Sequence, residues 1–337
     1  MFIEKKELII ELEIMTEKVV SITCSEPSFN PERLDKYLLG HFATYSRTYF
    51  QGLISKNLVL VNGKVMSKSS YLVQSGDQIS FSFIMPALYD IAPQDVTFQV
   101  IAIEKDFLVI NKPAGLVVHD APSNKGQPTL VSGLLHQFPE FQKFGDQAQR
   151  PGIVHRLDKD TSGIILVARN FEAQIAISKM FKDRKIHKTY LAVVKGHPEA
   201  KGKIDTFIGR HPVLRHKMAC VNNSQTPEST RNRSMGVLRG ALTFYETLKY
   251  YEQDSLIAAS PVTGRTHQIR AHCAFIGHGI LGDKVYGHVS GHISRQALHA
   301  WKISFELNGK QYAYQADVPE DFLCLLKALH AQNLQPK

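Results

Sequence analysis

The chain has 337 residues, 43% of them hydrophobic and 21% charged, values usual for a soluble protein with a buried core and enough length for two domains. It nowhere holds the ~18 consecutive apolar residues of a membrane helix, and its opening MFIEKKELIIELEIMTEKVV mixes charges through its apolar positions, unlike a secretory leader. Forty Lys and Arg against 31 Asp and Glu leave a net charge of +9, which favours a polyanionic partner because cations near phosphates release condensed counterions.

Residues 1–30 carry no motif and read as an extension. In RLDKYLLGHF, Leu34, Tyr37, Leu38 and Phe42 recur at helical spacing. SRTYFQGLISKN reads as a second helix, with Ser46 as N-cap and Tyr49, Phe50, Leu53 and Ile54 as its apolar face. LVLVNGKVM is an apolar strand with a hairpin turn at Asn62-Gly63, and SGDQISFSF adds a turn and a strand. Residues 31–86 thus form a small helix-hairpin module, and residues 87–98 read as a linker. From residue 99 to about 330, the β-branched runs VIAIEKDFLVINKP, GIVHRL, GIILVAR, TYLAVVKG and LIAASPV alternate with helical segments such as FEAQIAISKMFKDR. The fold class expected is α+β: the small module, then a mixed, antiparallel-rich α/β domain. The polar stretch at 222–236 reads as a loop.

The four cysteines, Cys24, Cys220, Cys273 and Cys324, form no CxxC pair, so neither a zinc ribbon nor a dithiol site is indicated. Free thiols fit a reducing compartment, and the cytoplasm is expected. His267, His272, His288, His292 and His299 lack the spacing of a zinc motif and read as hydrogen-bonding or RNA-facing, with no metal expected.

PGIVHRLDKDTSGIILVAR, residues 151–169, runs from an apolar strand through the polar turn HRLDKDTSG into another apolar strand. Asp, Thr, Ser and Gly favour turns of any purpose, but polar loops framed by rigid strands are also where functional side chains sit. HRLDKDTSG resembles the signature of the RluA family of pseudouridine synthases. VINKPAGLVVH (109–119), KTYLAVVKG (188–196), TGRTHQIRAH (263–272), LGDKVYG (281–287) and RQALHAWKISF (295–305) resemble further stretches of that family in the same order. RLDKYL, SRTYFQGLI, VLVNGK and GDQI resemble the small RNA-binding domain shared by a small-subunit ribosomal protein, some tRNA synthetases and several rRNA-modifying enzymes. Together they are most similar to the RluD type, which acts on large-subunit rRNA.

The resemblance implies isomerisation of uridine to pseudouridine, most readily in large-subunit ribosomal RNA or a pre-ribosomal particle, by a monomer without cofactor. Asp158 is implied as the carboxylate that meets the sugar's anomeric carbon, where charge develops as the glycosidic bond breaks. Arg265 is implied as the forked cation that holds Asp158 ionised and oriented. Tyr190 is implied as the ring that stacks on the uracil and helps move the carbon-5 proton. Substrate contacts fall to Arg156, which would fill the gap left by the flipped base, and to His155, Ile269, Arg270 and Lys112. Arg33, Lys36, Arg47 and Lys56 in the small module, and Lys185 and Lys188 in the basic run before Tyr190, are the candidate RNA contacts. Two other readings stay open. One is an RNA-binding protein with an inactive α/β domain. The other is a hydrolase of glycosidic bonds, for which Asp160 or Asp205 would have to supply a second carboxylate.

Overall fold

The computed structural model describes residues 18–25, 30–42, 47–83, 91–119, 126–147, 150–222, 231–232 and 235–332. Contacts divide the chain into two compact units, one drawn from residues 1–90 and 145–149, the other from residues 91–144 and 150–337. Among the described residues no helix is long and apolar enough to cross a membrane.

The smaller unit contains β1 (Lys18–Thr23), β2 (Glu32–Arg33), α1 (Leu34–His41), α2 (Arg47–Ser55), β3 (Val59–Val61), β4 (Lys64–Val65), β5 (Leu72–Val73) and β6 (Gln78–Phe83). One sheet has the order β1-β6-β3-β4, and β2 pairs with β5. The β3–β4 hairpin turns on Asn62 and Gly63, with φ of 52° and 75°. Both central residues of such a two-residue turn must be left-handed, which is why Asn-Gly marks it. Leu34, Leu38, Phe50, Ile54, Val59 and Phe81 form the core. One boundary differs from the expectation: β1 pairs along its length with β6, and Cys24 is buried in the core, so residues read as extension belong to this module. The proposed cap Ser46 lies outside the described residues.

The larger unit contains β7 (Gln99–Ile103), β8 (Phe107–Lys112), α3 (Leu130–Gln137), β9 (Ser162–Ala168), α4 (Phe171–Lys182), β10 (His187–Lys195), β11 (Lys201–Arg210), β12 (Met218–Asn222), β13 (Arg231–Asn232), β14 (Gly236–Val237), β15 (Arg239–Tyr250), β16 (Asp254–Pro261), α5 (Gln268–Phe275), β17 (Leu298–Leu307), β18 (Lys310–Gln315) and α6 (Glu320–Gln332). A 10-stranded sheet runs β12-β11-β15-β16-β10-β17-β9-β8-β7, with β18 beside β17. Its pairings are antiparallel except β17 with β9, where His299 and Ala300 lie opposite Ser162 and Gly163. Every residue of β9 is buried, as expected of a strand covered on both faces. One core joins β10 and β17 to α5 and α6 through Val193, Ile269, Cys273, Phe322 and Leu325. A second joins β8 and β9 to α4 through Phe107, Leu166, Ile177 and Phe305. The segment 91–98, read as linker, packs within this unit: Gln137 donates to the Val96 carbonyl, and Val96 is buried. Most of the loop at 222–236 lies outside the described residues.

Candidate active site

The polar turn is framed on one side only by a regular strand. GIVHRL, read as a strand, contributes a single bridge, Ile153 to Val167. Its backbone is held instead by side chains. Lys112, at the end of β8, is fully buried and donates to the carbonyls of Pro113, Leu116 and Lys159 at 2.8, 2.8 and 3.0 Å. Burial pulls its ammonium down to about 7, while three carbonyl acceptors match the three N–H bonds that only the charged form carries. Arg295 donates to the Asp160 carbonyl, and Gln296 to the Thr161 hydroxyl. Thr161 N–H closes the turn on the Asp158 carbonyl at 3.1 Å.

The glycine that ends the motif sets the depth of the turn. Gly163 has φ of +114°, and a Cβ there would stand 2.2 Å from the Ala300 carbonyl oxygen. Only glycine lets β9 approach β17 this closely, and this approach seats Asp158 at the end of the one parallel pairing.

Asp158 meets α5. Arg270, on that helix, donates from Nη1 to Asp158 Oδ2 at 2.9 Å, and from Nε and Nη2 to the two oxygens of Asp283 at 2.7 and 2.8 Å. Burial works against the Asp283 charge, but Arg270 and the N–H groups of Val285 and Tyr286 outweigh it and hold its carboxyl below the ordinary carboxylate range. Burial likewise opposes the Arg270 charge, and the two carboxylates more than offset it. The Tyr286 ring lies 5.1 Å from the guanidinium carbon, a cation–π distance. Its hydroxyl accepts the Met218 N–H and meets His267 Nδ1 at 3.0 Å. His267 begins α5 in the left-handed region, with φ of 55°, and its Nε2 is 3.9 Å from Asp158 Oδ2. Gln268 fixes the loop before the helix by accepting from Thr263 and the Arg265 N–H and donating to the Leu242 carbonyl.

This geometry corrects one expectation. Arg265 does not hold Asp158: its Nε donates to the Gly240 carbonyl at 3.1 Å, and the pairing belongs to Arg270. Five positions separate the two arginines, and α5 turns the second inward while the first stays on the loop before it. Burial, Arg239 and Arg184 all lower the Arg265 guanidinium, which marks it as one of a group of neighbouring cations.

Asp158, Tyr190, Ile269, Arg265 and Arg270 line one cavity of about 520 Å³, within the range of small-ligand sites. Tyr190 follows a bulge in β10, between Thr189 and Tyr190, of the kind that re-aims a side chain. Burial, with the charge of Asp158, raises its phenol well above the ordinary value. Ile269 is both lining and core. Arg156 is exposed at the cavity. Lys188 also lines it, 5.6 Å from the Phe181 ring centre, with burial pulling its ammonium down to about 8. Lys185 is exposed. Two proposed substrate contacts have structural partners: Lys112 holds the turn, and His155, which lines the cavity, accepts the Leu166 N–H at Nε2. Burial and Lys188 push His155 down to about 3, so its ring is neutral. Among the described residues Asp158 is the one acid lining the cavity, against Arg156, Lys182, Arg184, Lys188, Arg265 and Arg270. Asp205 pairs with Lys203 elsewhere, and Asp160 does not line it.

In the small unit, Arg33 and Arg47 both bind the buried Asp35, at 3.0 and 2.9 Å, and Gln51 donates to it at 2.7 Å. Burial opposes the Asp35 charge, yet these donors hold its carboxyl far below the usual range. Arg47 and Gln51 therefore tie α2 to α1, Arg33 braces the start of α1, and Lys36 and Lys56 are exposed.

Comparison with known proteins follows the same division. Residues 106–275 match the family described as RNA pseudouridylate synthase, and residues 32–79 match the S4 domain. The chain is 36% identical over 314 residues to "Ribosomal large subunit pseudouridine synthase D" of Zymomonas mobilis, spanning 89% of this chain and 95% of that protein. It is 33% identical over 316 residues to the protein of the same name from Escherichia coli K12, spanning 89% and 91%. Among solved structures, "Human RNA Pseudouridylate Synthase Domain Containing 1" is 27% identical, with a TM-score of 0.53, covering 72% of this chain and 97% of that one.

The chain belongs to the RNA pseudouridine synthase family. Its synthase domain carries Asp158, Tyr190 and Arg270 within the matched segment, while Asp283 and Tyr286 lie C-terminal to it. Those two are what the sequence left without a role in this synthase, while His267, read as hydrogen-bonding or RNA-facing, bonds the Tyr286 hydroxyl. LGDKVYG was legible as a family stretch, and an acid one glycine after the apolar pair Ile280-Leu281 is the signal that could have marked Asp283 as a buried partner.

Proposed function

We propose that this synthase isomerises uridine in large-subunit ribosomal RNA, in the cytoplasm and as a monomer, with Asp158 acting at the sugar. The observation that carries the reading is a cavity whose charged lining, among the described residues, is one carboxylate, gripped at Oδ2 by a single N–H of Arg270, and six Lys and Arg side chains. Hydrolases that activate water ordinarily need a second carboxylate. An isomerase needs one, together with cations that suit a phosphate backbone. The names of the Zymomonas and Escherichia relatives point to the large subunit as the source of the substrate.

The reaction is atom-neutral. The bond from C1′ to N1 breaks with its electron pair going to the uracil, the base turns, C5 bonds to C1′, and the C5 proton leaves while N1 gains one. No redox or metal step is required by this balance. Asp158 attacks C1′ or withdraws a proton from the sugar, in either case through the carboxylate that Arg270 orients. Tyr190, kept neutral by burial and by Asp158, packs on the base and offers its hydroxyl to the late proton transfer. Arg156, exposed at the cavity, takes the place of the extruded base in the RNA stack.

The test is Asp158→Asn, which keeps the shape and removes the charge. RNA affinity should survive while single-turnover isomerisation falls to the detection limit. Pseudouridine maps of ribosomal RNA from cells with and without the gene name the target, and an unchanged large-subunit map would reject that substrate. Normal turnover by the variant would reject Asp158.

A further inference from the structure

We infer that Asp283 is a positioning residue for the isomerisation, one that limits Arg270 to a single hydrogen bond with Asp158. The inference rests on the reading that Asp158 acts at the sugar. A guanidinium beside a carboxylate prefers the two-bond fork, with both oxygens engaged. Arg270 does make that fork, but with Asp283, whose side chain is fully buried. With Nε and one N–H of Nη2 turned to Asp283, a single N–H of Nη1 meets Asp158, at Oδ2 alone. Asp158 Oδ1 has no hydrogen-bond partner among the described residues and stays available to the substrate. The Asp283 carboxylate is itself fixed, accepting from the N–H of Val285 and Tyr286 at 2.9 and 3.1 Å, and the Tyr286 ring stands against the guanidinium from another side. Arg270 is thus clamped by groups that line no part of the cavity, and Asp158 receives a cation whose direction was decided elsewhere.

Without Asp283, Arg270 is free to swing onto Asp158 as a fork. Both oxygens would then be occupied, and the group meant for the sugar would be quenched by its own partner. This loss falls on chemistry and not on RNA binding, because Asp283 does not line the cavity.

The experiment compares Asp158→Asn, Asp283→Asn, Arg270→Met and the double variant Arg270→Met/Asp283→Asn in the full chain, on a ribosomal RNA stem-loop that the unaltered enzyme modifies. For Asp283→Asn the single-turnover rate at saturating enzyme should fall about 100-fold, the scale of an ångström-level misplacement, while the RNA Kd stays unchanged. In the Arg270→Met background, Asp283→Asn should cost no further activity and should raise the melting temperature, because it neutralises a buried acid left without its partner. A folded Asp283→Asn variant with normal turnover overturns the inference, as does a loss that multiplies with that of Arg270→Met. If Asp283→Asn does not fold, Asp283→Glu keeps the charge and lengthens the arm, and a normal rate there overturns it equally. Full activity of Asp158→Asn would instead sink the underlying reading of Asp158.

Discussion

A single arginine serving two carboxylates cannot be exchanged for a lysine. Arg270→Lys keeps the charge but loses the planar fork, so Asp283 and Asp158 cannot both be satisfied. Turnover should drop about 100-fold, read by single-turnover kinetics on a stem-loop substrate. Arg265→Lys changes a side chain whose one hydrogen bond among the described residues goes to the Gly240 carbonyl, and keeps its charge beside Arg239 and Arg184. Its turnover should stay close to normal. The opposite pattern would restore Arg265 as the partner of Asp158. GRTHQIR placed both arginines in one motif, and the motif alone gave no rotation: which of them faces the carboxylate depends on where α5 starts. That start is at His267, in a left-handed conformation no spacing rule announces. That Asp158 and Tyr190 would share a site was legible because each sits in a motif of its own, and both line the cavity. That Lys112 and His155 brace the turn was not legible, because motif matching does not separate such residues from those that meet the substrate.

At the scale of elements, α1, α2 and α4 could be read from periodicity, with α4 and the Asn62-Gly63 hairpin recovered closely, whereas α3, α5, α6 and the strands β11 to β15 were not read. GIVHRL failed as a strand because its neighbours offer side chains, not a free edge. The parallel meeting of β9 with β17 was invisible for another reason: the partners lie more than a hundred residues apart, and only Gly163 hints that backbone approaches there. Gly163→Ala should therefore be among the most damaging single changes. The new Cβ meets the Ala300 carbonyl at a φ that L-residues avoid, a cost of about 3 kcal/mol or more. In a domain of this size that lowers the melting temperature by roughly 6–12 °C, measurable by calorimetry. A variant melting within a degree or two of the parent would show that the strands can part without penalty.

For the whole molecule, the question is how a +9 chain distributes its grip on RNA. In the small unit, Arg33 and Arg47 are spoken for by Asp35, whereas Lys36 and Lys56 are exposed. Lys36→Ala and Lys56→Ala should each flatten the dependence of log affinity on log salt by about 0.7–0.9 if each contacts one phosphate, with the melting temperature unchanged. Affinity titrations at several salt concentrations check this, and an unaltered slope would mean that neither lysine touches RNA. The pairing of β17 with both β9 and β10 has a consequence for how the enzyme comes into being. Residues 298–307 are made after nearly all the strands they join. Until they emerge, β9 and β10 are separate open edges, prone to wrong pairing. Neither the Asp158 turn nor Tyr190 has its neighbour yet. A growing chain therefore holds every residue of the cavity but Leu298 for some time before it holds the cavity, and the catalyst arrives in one late step, as a keystone completes an arch.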